Sequence, residues 1–156
     1  MSTDLWRFAE HLYQRPGIEA ACLHLQGEGA DVCLLLCAAW LEQRKVAFGP
    51  ARAEQLRQLA LPWQQEVVVP LRQIRQRWRT AALHDTALAA LRERLKRLEL
   101  DAEREQLERL AAVSCDWPEQ AAEEQVMWLE ALAPHLTDED RDALQTLRTA
   151  ASQISP

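Results

Sequence analysis

Cys22 and His24 stand one residue apart, and Cys33 and Cys37 stand four apart. Four residues is about one helical turn, so Cys33 and Cys37 share a face. Thiolate and imidazole groups on neighbouring helices can hold zinc or iron. Structural zinc sites, however, place paired cysteines two to four residues apart around a turn. Here the pairs are Cys22-Leu23-His24 and Cys33-Leu34-Leu35-Leu36-Cys37, set in apolar sequence. Free cysteine is among the most buried residue types and packs as a small hydrophobe. The four are therefore read as core or boundary residues, with a metal- or ligand-binding site at Cys22, His24, Cys33 and Cys37 as the alternative. No cofactor is implied.

Catalytic constellations are not visible. The sequence has no G-x-S-x-G elbow, no Walker loop, no G-x-G-x-x-G, no H-E-x-x-H and no Cys-x-x-Cys. His11, His24, His84 and His135 are scattered, and beyond the weak His84-Asp85 pair none has a neighbour that suggests a general base with its orienting carboxylate. A general base needs an orienting partner within hydrogen-bond reach. The expectation is a protein that is not an enzyme.

The elements that would position these residues are helices. Among 156 residues there are 25 Leu, 25 Ala and 16 Arg against seven Val and three Ile, a composition of strong helix formers. All four glycines fall in the first 49 residues, so later turns must rely on proline and side-chain caps. The fold class expected is a single all-α domain over 1–156, a bundle of seven to eight helices. A chain of this length buries enough surface to need no disulfide or metal.

Leu5, Phe8, Ala9 and Leu12 form one face of a first helix that Asp4 can cap and Arg15-Pro16-Gly17 ends. A short helix over Ile18–Gln26 follows. Asp31 caps the run from Val32 to Glu42, apolar on every side and so the predicted central helix. Gly49-Pro50 starts a fourth helix, expected to stop before Pro62. Val67, Leu71, Ile74 and Trp78 make one seam, with Pro70 as an expected kink. Leu88, Leu91, Leu95, Leu98 and Ala102 make a second, extended by Leu107 and Leu110. The two seams are either one rod or a hairpin over 63–111 turning near His84-Asp85-Thr86. The hairpin is preferred, since uncapped periodicity well past ~25 residues is unusual in a compact domain. Further on, Trp117-Pro118 opens a helix with Ala122, Val126, Leu129 and Ala133 inward, and Thr137 with Asp140 forms a capping box for the last helix.

Charge is uneven. The formal net charge is −6, divided as −2 over 1–49, 0 over 50–71, +6 over 72–97 and −10 over 98–156. The cations Arg72, Arg75, Arg79, Arg94 and Arg97, with Trp78 among them, would converge on one end of the hairpin. They form either the solvated faces of amphipathic helices or a docking surface for an anionic partner. Arg and Trp are enriched in interface hot spots, which makes these six the candidate partner-binding residues, though Trp78 also has seam spacing. A nucleic-acid partner is the weaker version, because the sequence pI near 5.3 is far below the ~9 typical of such domains. An acidic protein fits better, or the chain's own C-terminal helices of about 112–156 folded over the basic face. Self-association as a homodimer stays open.

The longest apolar run, Val32–Leu41, is about half the ~20 residues needed to span a bilayer, so no membrane segment is expected. Met1-Ser2-Thr3-Asp4 carries no basic segment leading into an apolar stretch. A cytoplasmic protein with reduced thiols is expected.

Leu5-Trp6-x-Phe8-Ala9-x-x-Leu12-Tyr13, Pro16-Gly17, Cys22-Leu-His-Leu-Gln26, Ala30-Asp31-Val32, Trp40-Leu41 and Val68-x-Pro70-Leu71-Arg72-x-x-Arg75 together resemble a proteobacterial family of hypothetical proteins about 160 residues long, a domain of unknown function. The resemblance covers roughly residues 4–79. It implies a bacterial cytoplasmic α-helical domain and supplies no activity, cofactor or catalytic residue. The function expected is that of a small adaptor or regulatory protein binding another protein.

Overall fold

The computed structural model describes residues 4–119, 127–133 and 136–155. Among them are eight α-helices and no strand: α1 (Asp4–Tyr13), α2 (Ile18–Gly27), α3 (Val32–Gln43), α4 (Pro50–Trp63), α5 (Val69–Arg77), α6 (Thr86–Ser114), α7 (Trp128–Leu132) and α8 (Asp138–Ala151). The protein is an all-α bundle.

The caps fall where the sequence puts them. Asp31 accepts the Leu34 N–H at 3.2 Å and starts α3. The Thr137 hydroxyl accepts the Asp140 N–H while the Asp140 carboxylate accepts the Thr137 N–H, a complete capping box for α8. Pro50 stands in the first turn of α4, where its missing donor costs nothing. The helix expected from Pro118 through Ala122 and Val126 to Pro134 lies largely outside the described residues. Its described part is α7.

One boundary is corrected. The fourth helix does not stop before Pro62 but runs through it to Trp63, then widens into a π turn over Gln64–Val68. The Val69 N–H reaches back five residues to the Gln64 carbonyl. That extra residue resets the register so that Pro70 falls in the first turn of α5, which requires no donor from it. The helix thus runs through Pro62, and the wide turn after it accommodates Pro70 without a break.

Every residue of α3 from Cys33 to Glu42 is buried, so this helix is the centre of the core. Against it pack α1, α2, α4, α6, α7 and α8. Trp128 of α7 is fully buried, its indole N–H donating to the Val46 carbonyl at 2.9 Å. Burial of large side chains such as Phe8, Leu35, Leu41 and Trp128 contributes roughly 1.5–3 kcal/mol each.

The two seams form the expected hairpin. α5 ends at Arg77, a single 3₁₀ turn spans Ala81–Leu83, and Asp85 caps α6 by accepting the Leu88 N–H at 3.1 Å. α6, 29 residues and about 44 Å long, runs back along α5 and then across α4, α1 and α3. Its inner half is buried at Ala102, Leu107, Leu110 and Ala111. Leu91 and Leu98, expected in the seam, are exposed, because the outer half of α6 has only α5 beside it and one helix cannot cover both edges of the apolar stripe.

Candidate functional site

From Val69 to Arg94 no residue is buried. The helices α5 and α6, with the 3₁₀ turn between them, form a two-helix arm whose outer part lies outside the core. Leu71, Ile74, Trp78, Ala82 and Leu88 are half-buried between its helices. Leu83 at the tip is 76% exposed, and Leu91 and Leu98 are each about half exposed. Arg77, Arg79, Arg94 and Arg97 are exposed around them and make no salt bridge among the described residues. The arm therefore presents exposed leucines and guanidinium groups together.

The six candidate partner-binding residues divide into three sets. Arg79, Arg94 and Arg97 are free at the surface. Trp78 is half-buried. Arg72 and Arg75 are turned inward to the Glu99 carboxylate, which is buried; Arg75 Nε lies 2.5 Å and Arg72 Nε 3.2 Å from its oxygens. Arg72 also reaches Glu103 at 3.6 Å, and Arg92 donates to the Arg75 carbonyl at 2.9 Å. This cluster locks the arm to its root. Burial pushes the Glu103 carboxyl above the usual carboxylate range, with the Glu99 charge adding to it and Arg72 opposing. Glu99 was not singled out from sequence, although it is the first acid after the basic run and lies where α6 passes Arg72 and Arg75.

Among the described residues, the acidic C-terminal helices do not cover this face. Of the described segments, α7 packs on α3 and α4, and α8 on α1, α2 and α3. Lys96 pairs with Glu93 at 2.9 Å, one turn away on α6.

The cysteines and His24 are not assembled into one site. The Cys33 thiol meets the Glu103 carbonyl at 3.7 Å, Cys37 is held near Ser114, and Cys22 near Tyr13. Because α3 is enclosed on all sides, thiols one turn apart meet different neighbours on α6. Burial pushes the Cys22 thiol up to about 11 and Cys37 up to about 12, and drives Cys33 well above the ordinary thiol range. Thiolates, the form that binds metal, are disfavoured there. His24 instead places Nε2 2.8 Å from Asp140 Oδ1, joining α2 to α8. With Glu28 these form the only group of three metal-competent side chains among the described residues. Asp140 is already committed, accepting the Thr137 N–H through Oδ2, so the arrangement is accounted for as a cap and a helix-to-helix contact.

None of the six tryptophans is exposed. Trp40 and Trp128 are in the core. Trp117 stacks on Trp128 at 5.8 Å, Trp63 donates to the Ala102 carbonyl at 2.8 Å beneath the Arg109 guanidinium, and Arg104 lies over Trp6 at 4.8 Å.

Residues 4–110 match a family described as a protein of unknown function (DUF2390). The chain belongs to that family. The matched region takes in α1 to α5 and α6 as far as Leu110, so both helices of the arm lie inside it. It extends beyond residue 79, where the resemblance read from the sequence ended. The family region excludes α7 and α8. No curated protein and no solved structure matches the chain. No helix among the described residues is long and apolar enough to cross a membrane.

Proposed function

We propose that this protein is a non-enzymatic adaptor of the bacterial cytoplasm that docks an acidic protein surface through the arm of α5 and α6. The observation that carries the reading is the run from Val69 to Arg94 without a buried residue, where Leu83, Leu91, Arg77, Arg79 and Arg94 share the surface. Exposed leucines favour a partner that covers them, and the +6 of residues 72–97 selects an anionic one. Two arms of like charge repel, which makes a foreign acidic protein a better occupant than a second arm. Buried free thiols at Cys22, Cys33 and Cys37 suit a reducing compartment.

The test compares capture from nuclease-treated lysate of the source cells by the native chain and by Arg79→Glu/Arg94→Glu/Arg97→Glu. Far-UV circular dichroism of the two should coincide, since all three side chains are exposed. At least one acidic protein is expected to be retained by the native chain and depleted about tenfold or more on the variant, the equivalent of ~1.4 kcal/mol. Identical profiles contradict the proposal. Binding that nuclease abolishes and that falls steeply with salt points to nucleic acid instead.

A further inference from the structure

At the root of the arm, separate from its outer surface, a cleft of about 420 Å³ opens between α4, the π turn, α5 and α7. Its size is within the ~300–1,000 Å³ of small-molecule sites. Leu34, Leu61, Val69 and Leu132 supply an apolar floor and wall. Gln64, the first residue of the π turn, lines the cleft and is 9% exposed; its amide makes no hydrogen bond to another described residue and meets solvent in the cleft. The π turn that carries it is itself a distortion typically kept at functional positions.

The charges around the cleft are unequal. Arg57 and Arg72 reach it from opposite walls. Arg57 uses one Nη on the Ala131 carbonyl, sets the other 3.5 Å from the Glu54 carboxylate, and lies at the edge of solvent. Arg72 spends Nε and one Nη on Glu99 and Glu103, leaving its other Nη unengaged. The one acid on the wall, Asp31, has both oxygens occupied, by the Leu34 N–H and by the Gln106 amide at 2.6 Å. What the cleft leaves open is one Nη of Arg72 and the Gln64 amide, beside an apolar surface.

We propose that this cleft binds a small amphipathic carboxylate. Its aliphatic body lies on Leu61, Val69 and Leu132, its carboxylate faces Arg57 and Arg72, and the Gln64 amide completes the hydrogen bonding. The probe is decanoate, titrated into the full chain by calorimetry and by amide chemical-shift mapping, with decylamine as the charge-reversed control. Saturable 1:1 binding is expected, with shifts concentrated in 57–72 and 129–133 and decylamine at least tenfold weaker. Leu61→Trp, at a position 56% exposed, fills the cleft and should abolish binding without loss of helicity. Arg57→Gln should weaken it about tenfold and serves as the second variant should Leu61→Trp fail to fold. No saturation below about 1 mM, equal affinity for decylamine, shifts centred on 77–98, or full binding by the folded Leu61→Trp chain would each overturn the assignment.

Discussion

Glu42 and Arg44 stand two residues apart at the end of α3, and both bring charge into the core. The Glu42 carboxylate accepts the Leu129 N–H at 2.9 Å and two bonds from Arg148, which also holds Glu130. Arg44 lies over the Trp40 ring and donates to the carbonyls of Ser114, Cys115 and Trp117 and to Glu119. Each closes a helix end that would otherwise be buried unpaired. Removing one member of a buried pair strands the other, so Glu42→Ala should lower unfolding stability by about 3 kcal/mol in urea. Asp31 makes a different, pH-dependent contribution. Burial holds its carboxyl above the usual range against the bonds from Leu34 and Gln106. A raised carboxyl binds its proton more tightly in the folded than in the unfolded chain, so its contribution is present at low pH and lost as pH rises through the folded value. Asp31→Asn removes that titration and keeps a competent cap. Relative to the native chain it should therefore gain stability between pH 4 and pH 7, as measured by urea unfolding at the two values. A constant difference would contradict this. None of these pairs was evident in the sequence, because Glu42 and Arg148 are 106 residues apart and only the packed fold joins them.

The elements were more legible than the contacts. Asp31, Pro50, Asp85 and Thr137 are local signals, and local chemistry sets the helix starts they mark. Pro62 misled because a proline inside a helix costs one N–H and crowds the carbonyl four residues back without always ending the helix; α4 runs through it, and the π turn that follows accommodates Pro70. Two backbone positions can be checked directly. Gly17 caps α2 at φ +83°, a conformation costly for residues with a Cβ, and Lys45 follows α3 at φ +55°. Gly17→Ala should destabilise and Lys45→Gly stabilise, each by about 1 kcal/mol, as shifts in urea midpoint. The seam periodicity gave the hairpin but not its exposure, since spacing reports which residues align and not how many helices surround them. Because residues 69–94 bury nothing, the arm should open locally at far lower free energy than α3. Hydrogen exchange should show arm amides unprotected orders of magnitude sooner than those of 33–42. Asp85→Ala, by removing a cap of about 1 kcal/mol, should speed exchange at 86–92 several-fold further. Equal protection of arm and core would show that the arm is part of the bundle's cooperative unit.

Over the whole molecule the charge layout was readable by simple tally, while its disposition was not. The basic stretch divides into an inner pair, Arg72 and Arg75, consumed by Glu99, and an outer group left at the surface. The acidic helices pack elsewhere, on α1 to α4, so the arm is not masked by its own tail among the described residues. The bundle thus holds its core around α3 and displays one cationic, leucine-bearing arm whose apolar edges have no cover among the described residues. The most direct test is site-specific photocrosslinking in the source cells. A benzoylphenylalanine replaces Leu83 at the arm tip or, as control, Leu23, an exposed leucine on α2. A discrete protein adduct at Leu83 that is absent at Leu23, and lost with Arg79→Glu/Arg94→Glu/Arg97→Glu, is the predicted result. No adduct at Leu83, or the same adduct from both positions, would contradict docking through the arm.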